Sequence, residues 1–439
     1  MKKCILTCLF VLVFTGSAFA SGFGVFTQGT SGLGQANAVV AHPVGPSSLY
    51  FNPALLNDVS GRQIEIGTTG IYADRSIELD SGGTANSKDS WNFPSTAYYT
   101  HQVNEKLSTG FGIFSPFGLS TEWESDYAGR YLGTYGAILS LDINPVISYR
   151  LTDKLSIAGG FSFLYLDATL KKNINQTAAY TLTDLLLSSG AGGALPALTG
   201  PLGDIGQTFK GEGWGHGFNL GLLYKASERV SIGATYRSHI DVAVHGRATF
   251  ADVDPLLTMV FPATDGQADI RLPAQATAGI AVQILANLIV ETGVRWEDWS
   301  STDELKVDLD YPVLGQSSDV VPRDWKSTWS YNIGGQYQVS PSIALNAGYL
   351  YGKNAVPSST FEPLVPDTDA HLFTLGAEWS HENWTLSGAF GYEYHQDRKK
   401  TNSLGDPLGS TLAGVPTATA NGNYQADLYL TSLSLTYRF

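Results

Sequence analysis

The chain has 439 residues, a formal net charge of −14 and only 15% charged residues. This acidic balance argues against nucleic acid as a partner, because nucleic-acid binding requires a basic surface. The 48 glycines and the 12% aromatic content, with no apolar run of membrane-helix length beyond the N-terminal segment, are typical of a transmembrane β-barrel. Composition alone is also compatible with a large periplasmic or surface β-protein.

The first twenty residues have the pattern of a secretory signal peptide. Two lysines precede an apolar run over residues 4–14, and a small-residue cleavage site follows at 18–20. Removal of residues 1–20 would make Ser21 the first residue of the mature protein. Both cysteines, Cys4 and Cys8, lie in this segment. The mature chain is therefore expected to have no disulfide, no thiolate metal site and no cysteine nucleophile.

Residues 21–61 differ from the rest of the chain. They are rich in glycine and alanine and contain no alternating pattern, so we expect short helices here and no barrel wall. The segment nevertheless contains large apolar side chains that need burial. These side chains are Leu49, Tyr50, Phe51, Leu55 and Leu56.

From residue 62 to residue 439, apolar and polar residues alternate in segments of strand length, which predicts amphipathic strands. Six short turns and seven long loops alternate between these segments, as in outer-membrane barrels with both termini in the periplasm. We predict fourteen strands, at 62–75, 91–103, 106–116, 137–151, 154–172, 209–225, 229–250, 269–285, 287–309, 324–339, 342–354, 369–381, 383–400 and 422–439.

A barrel of fourteen strands is wider than its own side chains can fill, since eight strands already pack solid. Residues 21–61 are therefore predicted to form a small hatch that plugs the lumen, with a flexible periplasmic tail as the alternative. The predicted fold is an all-β transmembrane protein, a 14-stranded antiparallel outer-membrane β-barrel plugged by a small N-terminal hatch with short helices. Four tryptophans near the loop at 310–323 are predicted members of an interfacial aromatic girdle, namely Trp296, Trp299, Trp325 and Trp329.

The last strand alternates up to a terminal aromatic residue, Phe439. It resembles the last strand of bacterial outer-membrane barrels, and this resemblance implies recognition by the barrel-assembly machinery through Phe439. Pairing of this strand with the first, near residues 62–74, would close the wall. Outer-membrane lipid and lipopolysaccharide are then expected to surround a monomeric barrel.

Several motifs resemble a known family. The sequences SGLGQA at 31–36 and YFNPA at 50–54 resemble the hatch of FadL-type long-chain fatty-acid transporters, a family that includes TodX-type porins for aromatic hydrocarbons. The resemblance continues with SPFGLSTE at 115–122 and GEGWGHGFN at 211–219, and it covers nearly the whole mature chain. It implies passive transport of hydrophobic small molecules, with no cofactor, no metal and no enzymatic activity.

The resemblance also implies a route. A ligand would bind in a groove of external loops, enter a pocket in the lumen, and leave sideways into the membrane through a kink in the third strand after the hatch moves. The residues that would form the hatch gate are Asn52, Pro53 and Ala54, which the resemblance places near the second and third strands. The kink residues are Phe111, Gly112, Pro116, Phe117 and Gly118, and the groove residues are Leu182, Leu185, Leu186, Leu256, Leu257 and Phe261.

The residue types suit these roles. Pro116 cannot donate a ladder hydrogen bond, and the spacing of the leucines at 182, 185 and 186 predicts one helix face that ends near Gly190. Exposed apolar loop surface usually marks a binding site, although loops also bury such residues against themselves. Apolar inward positions are expected near the external strand ends, at Leu164, Leu166, Leu350, Leu428 and Leu430.

The sequence is compatible with either a charged or an uncharged ligand. Lys172 lies where family members can have a basic ligand contact, which would suit a fatty-acid carboxylate, but a solvated strand end is an equally good interpretation. Without a cation, an aromatic hydrocarbon would fit better. A surface receptor or adhesin is a further alternative. The eight histidines show no metal-ligand spacing and no G-x-S-x-G motif accompanies them, which argues against an enzyme.

Overall fold

The structure is a computed structural model that describes residues 22–88, 91–190, 193–406, 408 and 419–439. The predicted signal peptide lies outside the described residues. Within the described part of the chain, no helix combines the length and the apolar character needed to cross a membrane.

The described residues form one antiparallel sheet that closes on itself. Its strands are β1 Arg62–Leu79, β2 Thr84–Asn86, β3 Trp91–Asn92, β4 Ser95–Gln102, β5 Leu107–Phe114, β6 Gly118–Glu122, β7 Tyr135–Thr152, β8 Leu155–Ile174, β9 Ile205–Lys225, β10 Val230–Arg237, β11 Ile240–Ala251, β12 Thr264–Leu272, β13 Gln275–Leu285, β14 Leu288–Glu297, β15 Glu304–Val313, β16 Gln316–Pro322, β17 Thr328–Ser340, β18 Ile343–Gly352, β19 Ala370–His381, β20 Trp384–His395, β21 Arg398–Lys400 and β22 Gly422–Arg438.

Interrupted strands share one position in the wall, so these elements make up a closed fourteen-strand barrel. β2 to β4 form the second wall strand, β5 and β6 the third, β10 and β11 the seventh, and β20 and β21 the thirteenth. The remaining split positions are the eighth (β12, β13), the ninth (β14, β15) and the tenth (β16, β17). β22 pairs with β1 from Gln63↔Arg438 to Leu79↔Gly422, which confirms the predicted closure.

The alternation in the sequence has the predicted physical basis. In β22, Leu433 and Leu435 are 57% and 45% exposed on the outer face, whereas Ser432 and Ser434 are buried on the inner face. Outward apolar side chains suit hydrocarbon, and continuous strand pairing satisfies the backbone there. The five inward leucines predicted near the external strand ends are all buried, at Leu164, Leu166, Leu350, Leu428 and Leu430.

The aromatic girdle is only partly as predicted. Trp329 is 44% exposed on the outer face and Trp296 is half-buried beside it. Trp299 and Trp325 are buried at 0% and 3% exposure and face the lumen. The prediction is wrong for these two residues, because they belong to the connections around β15 and β16, which turn their rings toward the hatch.

The N-terminal residues occupy the lumen. Two short α-helices, α1 (Thr30–Gly34) and α2 (Ser48–Phe51), precede a 3-10 helix at Pro53–Asp58. The five apolar side chains that required burial are between 0% and 8% exposed, and these are Leu49, Tyr50, Phe51, Leu55 and Leu56. Such burial supports a hatch and not a periplasmic tail.

Two wall glycines allow the hatch backbone to lie directly on the barrel. A Cβ atom at Gly233 would lie 2.0 Å from the Val40 carbonyl oxygen, and one at Gly334 would lie 2.1 Å from the Gln35 carbonyl oxygen. Real Cβ atoms do not approach backbone atoms this closely, so any side chain at these positions would displace the hatch.

One buried carboxylate binds the hatch to the ninth wall strand. Glu291 of β14 accepts hydrogen bonds from the Val40 backbone N–H at 2.5 Å and from the Ala41 backbone N–H at 3.0 Å. His42 Nδ1 lies 2.8 Å from the same carboxylate. Glu291 is 0% exposed. A buried carboxylate that receives several hydrogen bonds fixes the segment at residues 40–42 firmly to the wall.

Candidate functional site

The third wall strand is interrupted next to the hatch. β5 is paired with β4 and β7, whereas β6 has β7 as its ladder partner among the described strands. In the interruption, the Val25 backbone N–H donates to the Pro116 carbonyl at 2.9 Å, and the Gly118 N–H donates to the Phe23 carbonyl at 2.9 Å. Gln28 Nε2 donates to the Ser115 carbonyl at 2.7 Å. A hatch segment at residues 23–28, called the gate segment below, therefore covers the break in the wall.

The interruption does not include all of the predicted kink residues. Pro116, Phe117 and Gly118 lie at the break. Phe111 and Gly112 lie within the regular ladder of β5, opposite residues 145 and 144 of β7. The wall is closed again on both sides of the break, by the Ser87↔Trp123 bridge and by the Ala97↔Ile113 pair. The break is thus a local opening between the second and third wall strands.

Two adjoining apolar cavities, together called the lumen cavity below, lie between the gate segment and the external loops. Its wall is formed mainly by aliphatic and aromatic side chains from several strands and from the loop before β19. Representative residues are Leu119, Leu170, Phe209, Leu305 and Leu364. The cavity reaches down to Phe23 of the gate segment and to Trp325.

The hatch end of the lumen cavity is an aromatic cluster. Phe23 packs against Trp299 with ring centroids 4.7 Å apart, against Trp325 at 5.8 Å and against Phe117 at 6.2 Å. This cluster joins the gate segment, the break in the wall and the lumen cavity. The sequence predicted that Trp299 and Trp325 lie at the membrane surface. An aromatic residue near a strand end looks the same in the sequence whether its ring faces the lipid or the lumen.

A groove in the external loops shares lining residues with the lumen cavity. It has a volume of about 390 Å³ and is lined by Leu182, Phe250 and Leu314 among others. Leu182 lies on α3 (Gln176–Ser189), which ends at the C-cap residue Gly190. The Leu182 side chain therefore contributes to an apolar surface outside the barrel.

The other predicted groove residues lie elsewhere. Leu257 and Phe261 are buried at 0% and 5% exposure in a small loop core with Ala179 and Tyr180. Leu185, Leu186 and Leu256 are exposed and do not line the groove; their exposed fractions are 59%, 57% and 50%. The two apolar loops thus pack partly against each other, which was the alternative interpretation of their sequences.

Lys172 lies at the junction of the groove and the lumen cavity, because it lines both. Its Nζ atom is 2.6 Å from Asp319 Oδ2, and Gln207 Nε2 donates to the same oxygen at 3.4 Å. The Lys172 and Asp319 side chains are 19% and 33% exposed. The pair joins β8 to β16, and both of its residues line the groove and the lumen cavity.

A second cation at the lumen cavity was not predicted. Arg323 lines the cavity and forms a buried ion pair with Glu362, with Nη1 and Oε1 2.5 Å apart. In the sequence, Arg323 falls at the end of the predicted loop 310–323, so no pattern marked it as a lumen residue.

The Asn52 motif binds a different strand from the one expected. Asn52 Nδ2 donates to the Val40 carbonyl at 2.8 Å and to the Leu222 carbonyl of β9 at 3.0 Å. Its Oδ1 accepts from the Ala54 N–H at 3.1 Å, which caps the 3-10 helix that begins at Pro53. The motif therefore attaches the hatch to the sixth wall strand, whereas the family resemblance suggested the second and third.

A closed fourteen-strand barrel with an N-terminal hatch and an apolar lumen cavity defines the class of plugged outer-membrane barrels. The family described as outer membrane protein transport protein (OMPP1/FadL/TodX) matches residues 11–439, and the chain belongs to this family. It is an integral protein of the Gram-negative outer membrane.

Individual relatives agree with this assignment. The chain is 23% identical over 416 residues to the long-chain fatty acid transport protein of Escherichia coli, covering 90% of this chain and 92% of the relative. A crystal structure of a Pseudomonas aeruginosa FadL homologue superposes with a TM-score of 0.82 at 19% identity, covering 95% of this chain and 100% of the other. The P. putida toluene transporter TodX gives 0.70 at 18% identity, with 96% and 99% coverage. At these identities, the solved structures establish the fold alone.

Proposed function

We propose that this protein transports hydrophobic small molecules passively across the outer membrane, with long-chain fatty acids or similar compounds as the ligands. The observation that carries the proposal is a series of adjoining, largely apolar cavities that share lining residues, from the external groove, past Lys172, to the gate segment at the break in the third wall strand. The name of the E. coli relative, a long-chain fatty acid transport protein, supports this ligand class.

In the proposed first step, the acyl chain of the ligand leaves water for the groove beside Leu182. Burial of apolar surface drives this step at about 25 cal/mol per Å². The ligand then enters the lumen cavity past the ion pair of Lys172 and Asp319. A fatty-acid carboxylate competes with Asp319 for the Lys172 ammonium, so the same cation holds the head group while the tail enters the cavity.

In the proposed last step, the gate segment leaves the break and the ligand moves sideways into the membrane. The segment is held there by two backbone hydrogen bonds, by hydrogen bonds of Gln28 with Ser115 and Tyr98, and by the packing of Phe23. Asn52, Pro53 and Ala54 support it indirectly by fixing the rest of the hatch to β9. Lateral exit keeps the ligand out of water throughout, which avoids the free-energy cost of hydrating its apolar surface.

A transporter for aromatic hydrocarbons is the second candidate. The solved toluene transporter TodX shares the fold, and the aromatic cluster around Phe23 offers flat ring surfaces to a small aromatic ligand. A surface receptor or adhesin is a third, since long loops provide binding surface; failure of a deletion strain to lose any uptake of hydrophobic compounds would favour it. Recognition of Phe439 by the assembly machinery, contacts with lipopolysaccharide and a monomeric state stay predictions.

The two ligand classes are separated by replacing Lys172. In the Lys172→Ala variant, we expect the affinity of purified protein for oleate to fall about tenfold, because a charge-assisted contact contributes about 1.5 to 3 kcal/mol. Toluene has no charge, so its affinity is expected to stay unchanged. Equilibrium binding of both ligands measures the difference.

The matched control is Lys399→Ala, which removes an exposed lysine paired with Asp80. Equal oleate affinity in wild type and in Lys172→Ala would contradict the head-group role. Toluene binding without any oleate binding to the wild type would favour the second candidate.

A further inference from the structure

A local gap in the wall lies between the eighth and ninth wall strands and is distinct from the break in the third. β12 and β15 share only a short ladder, which ends at the pair Ala268↔Val307. The wall is joined again where the Asp298 N–H donates to the Ala274 carbonyl at 2.9 Å, and the ladder of β13 and β14 follows. Between these two points, residues 269–273 have no ladder partner on the ninth wall strand in the described part of the chain.

The gap arises because the connection before β15 turns toward the tenth wall strand. The Trp325 N–H donates to the Thr302 carbonyl at 3.2 Å, and the Arg323 N–H donates to the Asp303 carbonyl at 2.8 Å. On the opposite side of the gap, Pro273 has no N–H to donate. The backbone groups that would complete the ladder are therefore used elsewhere or absent.

The lumen cavity extends into this gap. Its lining includes Ile270, which alternation places on the inner face, and also Asp269 and Arg271, whose side chains are exposed on the outer face. Thr302 and Glu304 line it from the ninth wall strand. Because the cavity touches residues of both faces of the wall, it passes between the two strands. We call this passage the side opening.

The side opening lies at the external surface of the membrane. β13 and β14, which run from the periplasmic turn up to it, have 11 and 10 residues, enough to cross the hydrocarbon core. The girdle residue Trp296, which pairs with Trp329, is at the top of this ladder. The charged rim of the side opening is therefore at the height of the lipid head groups.

Two buried polar groups at the side opening lack a hydrogen-bond partner among the described residues. They are Trp325 Nε1 and Thr302 Oγ1, and both residues line the lumen cavity. Trp325 is 3% exposed, and its ring packs against Trp299 with centroids 5.2 Å apart. Buried polar groups are almost always hydrogen-bonded. An indole N–H can only donate and a hydroxyl can donate, so the missing partner is an acceptor such as an oxygen atom.

The charges around the side opening disfavour an anion. Asp269 and Glu304 line it and form no ion pair among the described residues, although Lys306 acts on both from a longer distance. Each base nearby already has a carboxylate partner, in the pairs Arg271–Asp241, Arg323–Glu362 and Lys306–Asp308. Negative charge is therefore in excess here, so the acceptor that fits is an uncharged oxygen and not a carboxylate.

We propose that the side opening admits uncharged long-chain amphiphiles, such as fatty alcohols or monoacylglycerols, from the outer leaflet into the lumen cavity. The hydroxyl or ester oxygen accepts hydrogen bonds from Trp325 Nε1 and Thr302 Oγ1, and the alkyl chain contacts the apolar lining. This route does not pass Lys172, so it extends the ligand range beyond acids. The inference rests on the transport function proposed above.

The first test removes both donors and keeps the shapes of the side chains, in purified full-length Trp325→Phe/Thr302→Val. Its affinity for oleyl alcohol is expected to fall about fivefold or more, because two hydrogen bonds to the ligand are lost. Binding of oleate, and of octadecene, which has no oxygen, is expected to stay within twofold of wild type. The matched control is Trp329→Phe, which changes a tryptophan on the outer face and is expected to bind all three ligands as wild type does.

The second test uses the wild-type protein in phosphatidylcholine vesicles, so it does not depend on the folding of a variant. Oleyl alcohol with a diazirine beside the hydroxyl is expected to crosslink to residues 269–272 and 301–305, as mapped by mass spectrometry. Absence of these crosslinks, or wild-type oleyl alcohol affinity in the double variant, would overturn the inference. If the wild type bound oleate but not oleyl alcohol, only the side opening would be excluded. If it bound neither, the proposed transport function itself would fail.

Discussion

Replacement of Glu291 by glutamine is expected to release the hatch from the wall and to make the barrel conduct ions. Both carboxylate oxygens of Glu291 accept backbone hydrogen bonds, one from Val40 and one from Ala41. A glutamine would place its amide NH2, a donor, against one of these N–H donors, and a buried donor without an acceptor costs about 1 to 3 kcal/mol. Single-channel recordings in planar bilayers measure the conductance, and hydrogen exchange of the amides at residues 40–42 measures the release directly.

The control for this variant is Glu382→Gln, which changes an exposed carboxylate in a periplasmic turn. We expect it to match the wild type in both measurements. A closed channel and unchanged exchange protection in Glu291→Gln would show that the remaining contacts hold the hatch without this carboxylate.

A disulfide across the break is expected to stop transport. Gly24 and Phe117 are partners in an antiparallel bridge, so their Cα atoms are about 4.5 to 5.5 Å apart, within the range that disulfides span. The Gly24→Cys/Phe117→Cys variant would fix the gate segment to the third wall strand. Oleate uptake by cells is expected to fall at least tenfold under oxidising conditions and to recover with a reductant.

Both native cysteines lie in the predicted signal peptide, so no native thiol is expected to compete for this bond. The single variant Phe117→Cys separates the loss of the aromatic ring from the effect of the crosslink. Undiminished uptake by the oxidised double variant, with the crosslink shown by mass spectrometry, would exclude the break as the exit.

The number and order of the wall strands were predictable because lipid imposes a strict rule on every strand. Residues that face hydrocarbon are apolar, whereas many that face the lumen are polar, so a period of two recurs along the strands, as Leu433 and Ser432 illustrate. The short turns and long loops then gave the strand order. The burial of the hatch followed from its apolar residues and from the width of a fourteen-strand barrel.

The site was less predictable, because its contacts join residues far apart in sequence. Lys172 meets Asp319 across the mouth of the barrel, and no local pattern marks that pair. Asn52 binds the sixth wall strand through the Leu222 carbonyl, a backbone atom that carries no sequence signal. The inward orientation of Trp299 was not predictable either, because the sequence does not specify which way a ring points in a connection between strands.

The contact between the two ends of the chain has a consequence for biogenesis. Thr30 of the hatch is hydrogen-bonded to Ser432 of the last strand, with the two side-chain oxygens 2.8 Å apart, and Thr374 Oγ1 donates to the Gly34 carbonyl at 3.2 Å. Helix α1 therefore reaches its final position only when the last wall strands are in place, although it is synthesised before every one of them. Contacts of such large sequence separation form late and slowly. The nascent chain must keep its N-terminal segment unattached until the barrel is nearly complete, and an assembly intermediate stalled before the last strands would be an unplugged pore.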